Sequence, residues 1–124
     1  MLNRKENIIQ EKADAYSNRI VRLYKFLSTE KHENIISKQI LRSGTSIGAN
    51  VVESRNAQSR KDFVSKLSIA LKEADETEFW LKKILYGEHI TSTQYNSMHA
   101  DNEEIVKILT RIINTMKQKY GDWN

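Results

Sequence analysis

The chain has 124 residues with 20 Lys or Arg against 16 Asp or Glu, a formal net charge of +4 at neutral pH, and that modest basic excess permits attraction to nucleic acid without requiring it. Cysteine is absent, which excludes disulfides and thiolate metal sites; proline is absent and glycine occurs four times, poor punctuation for a sandwich or barrel. No apolar run approaches the ~20 residues that a bilayer-spanning helix needs, and Asn3, Arg4, Lys5 and Glu6 after Met1 are polar, so a cytoplasmic, all-α protein without membrane contact, one domain over residues 1–124, is expected.

The first predicted helix runs from Arg4 to Ser28, with Ile9, Ala13, Tyr16, Ile20, Leu23 and Leu27 alternating at steps of four and three. Residues 28–33 form the first turn. A second helix covers Asn34 to Asn56 and carries Ile40, Ile47 and Val51, with Ser43, Gly44, Ser46, Gly48 and Ala49 between them. Each glycine inside a helix costs about 1 kcal/mol relative to alanine, so this pair asks for close approach by another backbone.

Ser59-Arg60-Lys61-Asp62 is a helix start: the serine hydroxyl can accept an orphan N–H, and the acid three residues on suits the positive end. The third helix spans Arg60 to Tyr86 along Phe63, Leu67, Ala70, Ala74, Thr77, Leu81 and Ile84, and Gly87 is expected as a left-handed cap. Thr91 and Gln94 have capping-box spacing; after them Met98, Asn102, Ile105, Leu109, Ile112 and Met116 make a fourth seam, and residues 121–124 a frayed tail. Short links between four amphipathic helices predict an antiparallel up-down-up-down four-helix bundle. Val21, Tyr24, Phe26, Leu41, Val52, Ile69, Phe79 and Trp80 exceed what one seam per helix requires. They either thicken one core or serve self-association, with Phe79 and Trp80 as candidate oligomer-interface residues.

A di-metal carboxylate site would need Glu-x-x-His pairs, and none occurs; His32, His89 and His99 fall near predicted helix starts or links. Asp75 and Glu78 are expected to face solvent, and Glu73 or Glu76 to pair with a basic side chain one turn away or in an adjacent subunit. No metal or other cofactor is expected. Ser43, Ser46, Ser59 and Ser68 have no histidine at a mechanistically meaningful spacing, and Gly44-Thr45-Ser46-Ile47-Gly48 lacks a Walker lysine. No catalytic residue is assigned. Asn50 and Glu53 share one helical face beside the seam, which suggests a structural hydrogen-bond clamp between helices two and three, with a ligand pocket as the alternative. The strongest surface candidate is the second corner, where Arg55, Arg60, Lys61 and Lys66, with Arg42 earlier, make a candidate nucleic-acid-binding group; a solvated turn is the alternative. Lys107, Arg111, Lys117 and Lys119 form a second basic group.

Ser46-Ile47-Gly48-Ala49-Asn50-Val51-Val52-Glu53, then Ser59-Arg60-Lys61-Asp62-Phe63, then Leu67-Ser68-Ile69-Ala70 resembles the signature of the four-helix-bundle proteins encoded within 23S rRNA intervening sequences. Gly48 stands where that pattern usually has proline and Ser54 where it has glycine. Glu73 to Leu81 resembles a variant common among members. The resemblance implies a homopentamer with no established catalytic residues. Relatives include accessory proteins of diversity-generating retroelements, which engage nucleic acid and a reverse transcriptase, so RNA, DNA, a reverse transcriptase or another protein are the partners it suggests. A protein-interaction scaffold presenting Glu76, Phe79 and Trp80 is the competing expectation.

Overall fold

A computed structural model describes residues 4–121. Its elements are α1 (Arg4–Thr29), α2 (Ile36–Ser54), α3 (Arg60–Tyr86) and α4 (Ser92–Tyr120), with no strand among the described residues. The expected tail over 122–124 lies outside them. No described helix is long and apolar enough to cross a membrane.

The helices close a ring in which α1 packs on α2, α2 on α3, α3 on α4 and α4 on α1. Cross-helix contacts set the directions. Lys12 meets Glu104 while Arg19 meets Asp101, and Arg60 meets Tyr120 while Glu78 meets Tyr95. In each pair of helices, rising numbers on one run against falling numbers on the other, so the bundle is antiparallel and up-down-up-down as the short links require. The interior is made by the expected seams: Ile9, Ala13, Tyr16, Ile20 and Leu27 from α1, Ile40, Ile47 and Val51 from α2, Leu67, Ala70, Ala74, Leu81 and Ile84 from α3, and Met98, Ile105, Leu109 and Ile112 from α4. Phe63 lies at the margin instead, and Val64 takes the buried place.

The α2 glycines have the expected packing reason. A Cβ at Gly44 would stand 2.7 Å from Ile20 Cδ1 and Cγ1 and 2.8 Å from its Cγ2; one at Gly48 would stand 2.8 Å from Ser17 Oγ and 3.4 Å from the Ala13 carbonyl oxygen. Backbone approach between α1 and α2 therefore uses the space that a side chain would fill.

Local chemistry sets the ends. Ser59 Oγ accepts from Asp62 N at 3.0 Å, and Thr91 with Gln94 forms the full capping box, Thr91 N donating to Gln94 Oε1 at 2.8 Å. The second helix starts later than expected because the Glu33 carboxylate accepts from Ser37 N at 2.7 Å and so occupies the capping role itself. Gly87 is not the left-handed residue: its φ is −76, and Glu88 at φ 62 takes that position, allowing His89 N to reach the Ile84 carbonyl at 2.9 Å.

Polar side chains pin the helices to one another. Tyr16 donates its hydroxyl to the Met98 carbonyl at 3.1 Å, and burial raises the pKa of that phenol. The Thr77 hydroxyl lies 2.9 Å from Ser43 Oγ and 2.8 Å from the Glu73 carbonyl; its single proton satisfies both contacts if it goes to the carbonyl while Ser43 donates to Thr77. This buried pair, rather than Asn50 and Glu53, is the clamp between α2 and α3. Asn50 donates to the Ser46 carbonyl of its own helix at 2.8 Å, and Glu53 is exposed.

Between α3 and α4, Asn102 Nδ2 donates to the Ala74 carbonyl at 2.9 Å. Glu78, expected to face solvent, is half-buried there. It accepts from Tyr95 Oη and lies 2.7 Å from His99 Nδ1, while His99 Nε2 lies 2.9 Å from Glu103. Burial alone would raise the Glu78 pKa, but the hydrogen bonds from Tyr95 and His99, the His99 charge and Asn102 outweigh it and hold the carboxyl below its ordinary range. Tyr95 is pushed up to about 12, by burial first and by Glu78 second.

Two outcomes follow from this architecture. Overpacking costs about 1–3 kcal/mol and helix propensity returns about 1 kcal/mol, so Gly44→Ala should show a net loss of up to about 2 kcal/mol in chemical denaturation. Adding Ile20→Val should cost less than the sum of the single changes; a Gly44→Ala protein more stable than wild type, or full additivity with Ile20→Val, would remove the close-approach account. A depressed carboxyl contributes stability above its unfolded value, here 4.5, and loses it as pH falls through the lower folded value. The stability gap between wild type and Glu78→Gln should accordingly be full at about pH 6 and shrink toward about pH 3, and a gap constant over that range would contradict the assignment.

Candidate nucleic-acid interface

The link between α2 and α3 is tight because the chain turns through three successive backbone bonds: Arg55 N to the Val52 carbonyl at 3.2 Å, Asn56 N to Glu53 at 3.1 Å and Ala57 N to Ser54 at 3.2 Å. Ser54 is buried and returns its hydroxyl to the Val51 carbonyl at 2.6 Å. Small side chains and internal bonds thus hold the corner close to the bundle, leaving its long cations outside.

Arg55 and Arg60 line one hollow of this corner with Glu6, Phe63 and Met116, so α1, the turn, α3 and the last turns of α4 all reach it. Lys66 lines a second, polar hollow on the other side with Glu53, Asn56, Gln58, Ser59 and Asp62. Lys61 is exposed and lines neither hollow. Asp62 is engaged locally, its carboxylate accepting from Gln58 N at 3.2 Å while its own N–H meets the Ser59 cap. Among the described residues, no carboxylate lies within 4.0 Å of a charged nitrogen of Arg55, Arg60, Lys61 or Lys66.

Arg42 does not join this group. It lies 13 residues before Arg55, about 20 Å along the helix at 1.5 Å per residue, and its guanidinium is bound to Glu76 and to Glu73 at 3.3 Å on α3. Glu76 first, and Glu73 with it, raise its pKa further. Sequence spacing could not show this pairing, because the partners lie on different helices and meet only in the assembled bundle.

The second basic group divides. Lys107 is 3.6 Å from Glu103, and Arg111 lines a groove with Arg4, Ile8 and Ile108 between α1 and α4. Lys117 and Lys119 fall in the last turn of α4 and share the end of the bundle that holds the corner. Tyr120 marks that proximity: its ring centroid lies 3.9 Å from the Arg60 guanidinium carbon. Tyr120 carried no signal in the sequence, since it belongs to no seam and its partner is half the chain away.

The proposed oligomer residues also separate. Trp80 packs partly into the core, and its indole N–H is buried without a partner, whereas Phe79 is 51% exposed, edge-on to Trp80 at 5.0 Å between centroids. Val52 is 48%, Val21 41% and Ile69 38% exposed, so part of the apolar excess faces outward. Among the described residues, no group of three or more His, Asp or Glu is placed to hold a metal ion.

Among curated proteins, none is similar enough to match the chain. A solved structure from Bacteroides thetaiotaomicron, a protein of unknown function of the S23 ribosomal protein family, is similar at 55% identity with a TM-score of 0.88, covering 89% of this chain and 98% of its own. The family described as 23S rRNA-intervening sequence protein matches residues 5–111. With both the helical frame and most of its length accounted for, the chain belongs to the 23S rRNA-intervening sequence protein family.

Proposed function

We propose that this protein is a non-catalytic, homo-oligomeric bundle that binds RNA or DNA through phosphate contacts at the α2–α3 corner. The observation that carries this reading is the distribution of paired and unpaired charge. Along the bundle's length, Lys12 holds Glu104, Arg19 holds Asp101, Arg42 holds Glu73 and Glu76, and Lys107 with His99 engages Glu103. Arg55, Arg60, Lys61, Lys66, Lys117 and Lys119 gather at one end of the bundle, and none of them has such a partner among the described residues. Exposed cations without carboxylate partners are free to displace counterions from a phosphate backbone, an interaction that is blind to base sequence.

Self-association strengthens such a surface. Several weak corners on one closed assembly act together and raise effective concentration. The outward Val21, Val52, Ile69 and Phe79 supply apolar area for it, and a pentamer is the arrangement the family resemblance suggests. Family membership is also the reason to consider a reverse transcriptase as a protein partner. A scaffold role without nucleic acid is the second reading, favoured by the exposure of Phe79, although Glu76 is already engaged by Arg42.

Binding to a labelled oligonucleotide should weaken steeply with salt, and the triple change Arg55→Ala, Arg60→Ala, Lys61→Ala should reduce the log–log slope by about 0.7–0.9 for each phosphate that is no longer neutralised. Salt-independent binding, or none, would leave the scaffold reading. Static light scattering at micromolar concentration should give a multiple of the 14.5 kDa chain mass; a monomer would exclude the pooled-charge arrangement.

A further inference from the structure

Arg60 opens α3 directly after the Ser59 cap, and Tyr120 closes α4 immediately before Gly121. Gly121 ends that helix in a backbone conformation, φ 88 and ψ 177, that side-chain-bearing residues rarely adopt, while its N–H still reaches the Lys117 carbonyl at 2.8 Å. The stop therefore falls where the half-buried Tyr120 ring comes under Arg60, 3.9 Å from centroid to guanidinium carbon. Lys119 Nζ lies 5.5 Å from the same centroid.

We propose that Tyr120 is the positioning residue of the phosphate-binding corner: its ring holds the Arg60 guanidinium so that the N–H fork is presented to a phosphodiester backbone. This role rests on the nucleic-acid reading of the corner. Arginine has a long side chain with many rotamers, and binding a phosphate from a free arginine immobilises all of them. A guanidinium already stacked on an aromatic ring has lost much of that freedom beforehand. Stacking uses the face of the guanidinium and leaves its in-plane donors available, which is the geometry a bidentate contact to phosphate requires. The same contact ties the first turn of α3 to the last turn of α4, so Lys117 and Lys119 are carried beside the corner in one surface. Tyr120 adds no charge of its own, and its contribution is separable from that of a cation.

The test is fluorescence anisotropy of the full chain with labelled oligo-uridylate and oligo-deoxythymidylate across a salt series, with thermal melts confirming that each variant folds. Tyr120→Phe keeps the ring and should bind as wild type does. Tyr120→Leu keeps the bulk but loses the ring, and should weaken binding about two- to fivefold per engaged corner, the amount expected of an exposed cation–π contact, with the salt slope unchanged. Arg60→Ala should weaken binding and also flatten the slope, and Tyr120→Leu added to it should cost nothing more. The positioning role is overturned if the wild type binds and Tyr120→Leu binds equally well, or if the Tyr120→Leu loss persists in full in the Arg60→Ala background. A wild type that binds neither probe overturns the nucleic-acid reading itself, and this role with it.

Discussion

Helix α1 can sit on α2 as closely as it does only because two positions of α2 have no side chain. Ile20 occupies the space above Gly44, and Ser17 with the Ala13 carbonyl occupies that above Gly48. The glycines give up helix propensity, about 1 kcal/mol each, and the approach they permit buries Ile20, Ile40, Ile47 and Val51 in one interior. The register so set places Ser43 toward α3, where it meets Thr77; Thr77 and Ala74 in turn orient α3 toward Asn102 of α4. Each contact depends on the axial position established by the one before it, so a shift at the α1–α2 contact would strand buried hydroxyl and amide groups without partners, which costs more than the bonds themselves supply.

Electrostatics follow from the same frame. A chain with four more cations than acids could spread the surplus evenly. Here the antiparallel order brings α1 to α4, where Lys12 meets Glu104 and Arg19 meets Asp101, and α2 to α3, where Arg42 meets Glu73 and Glu76. Arg55, Arg60, Lys61 and Lys66, without such a partner among the described residues, lie where α2 turns into α3, and other unpaired cations such as Arg22, Lys25, Lys31, Lys38, Lys82 and Lys83 lie elsewhere on the surface. Surface ion pairs of this kind contribute little to stability, about 0–1 kcal/mol each, but they remove Arg42 from the cations available to a ligand. Family membership establishes the frame and not the ligand, because a shared fold does not by itself carry an activity.

Capping and periodicity were legible because they depend on neighbours within one turn. Ser59 with Asp62, Thr91 with Gln94, and the alternating seams of α1, α3 and α4 each report contacts that the local chain must make wherever the helix ends up. Glu78 was not legible: among Asp75, Glu76 and Glu78 nothing nearby distinguishes the one that Tyr95 and His99 draw into the α3–α4 interface. Gly87 misled for a related reason, since the residue forced into the left-handed region is chosen by how His89 returns to the Ile84 carbonyl, and that falls on Glu88. Asn50 satisfied itself on its own helix, an option that backbone carbonyls always offer to a short polar side chain.

The amino-acid order alone determined four amphipathic helices, their approximate limits, their antiparallel succession and the presence of a basic corner, because helical period, caps and short links are local properties of a chain. Only the tertiary structure decided which charges are consumed and which remain: that Arg42 belongs to Glu73 and Glu76, that Glu78 is a half-buried acceptor, and that Tyr120 lies against Arg60. Those outcomes join residues on different helices, and the distance between their side chains is set by helix register and crossing, which no spacing along the sequence contains.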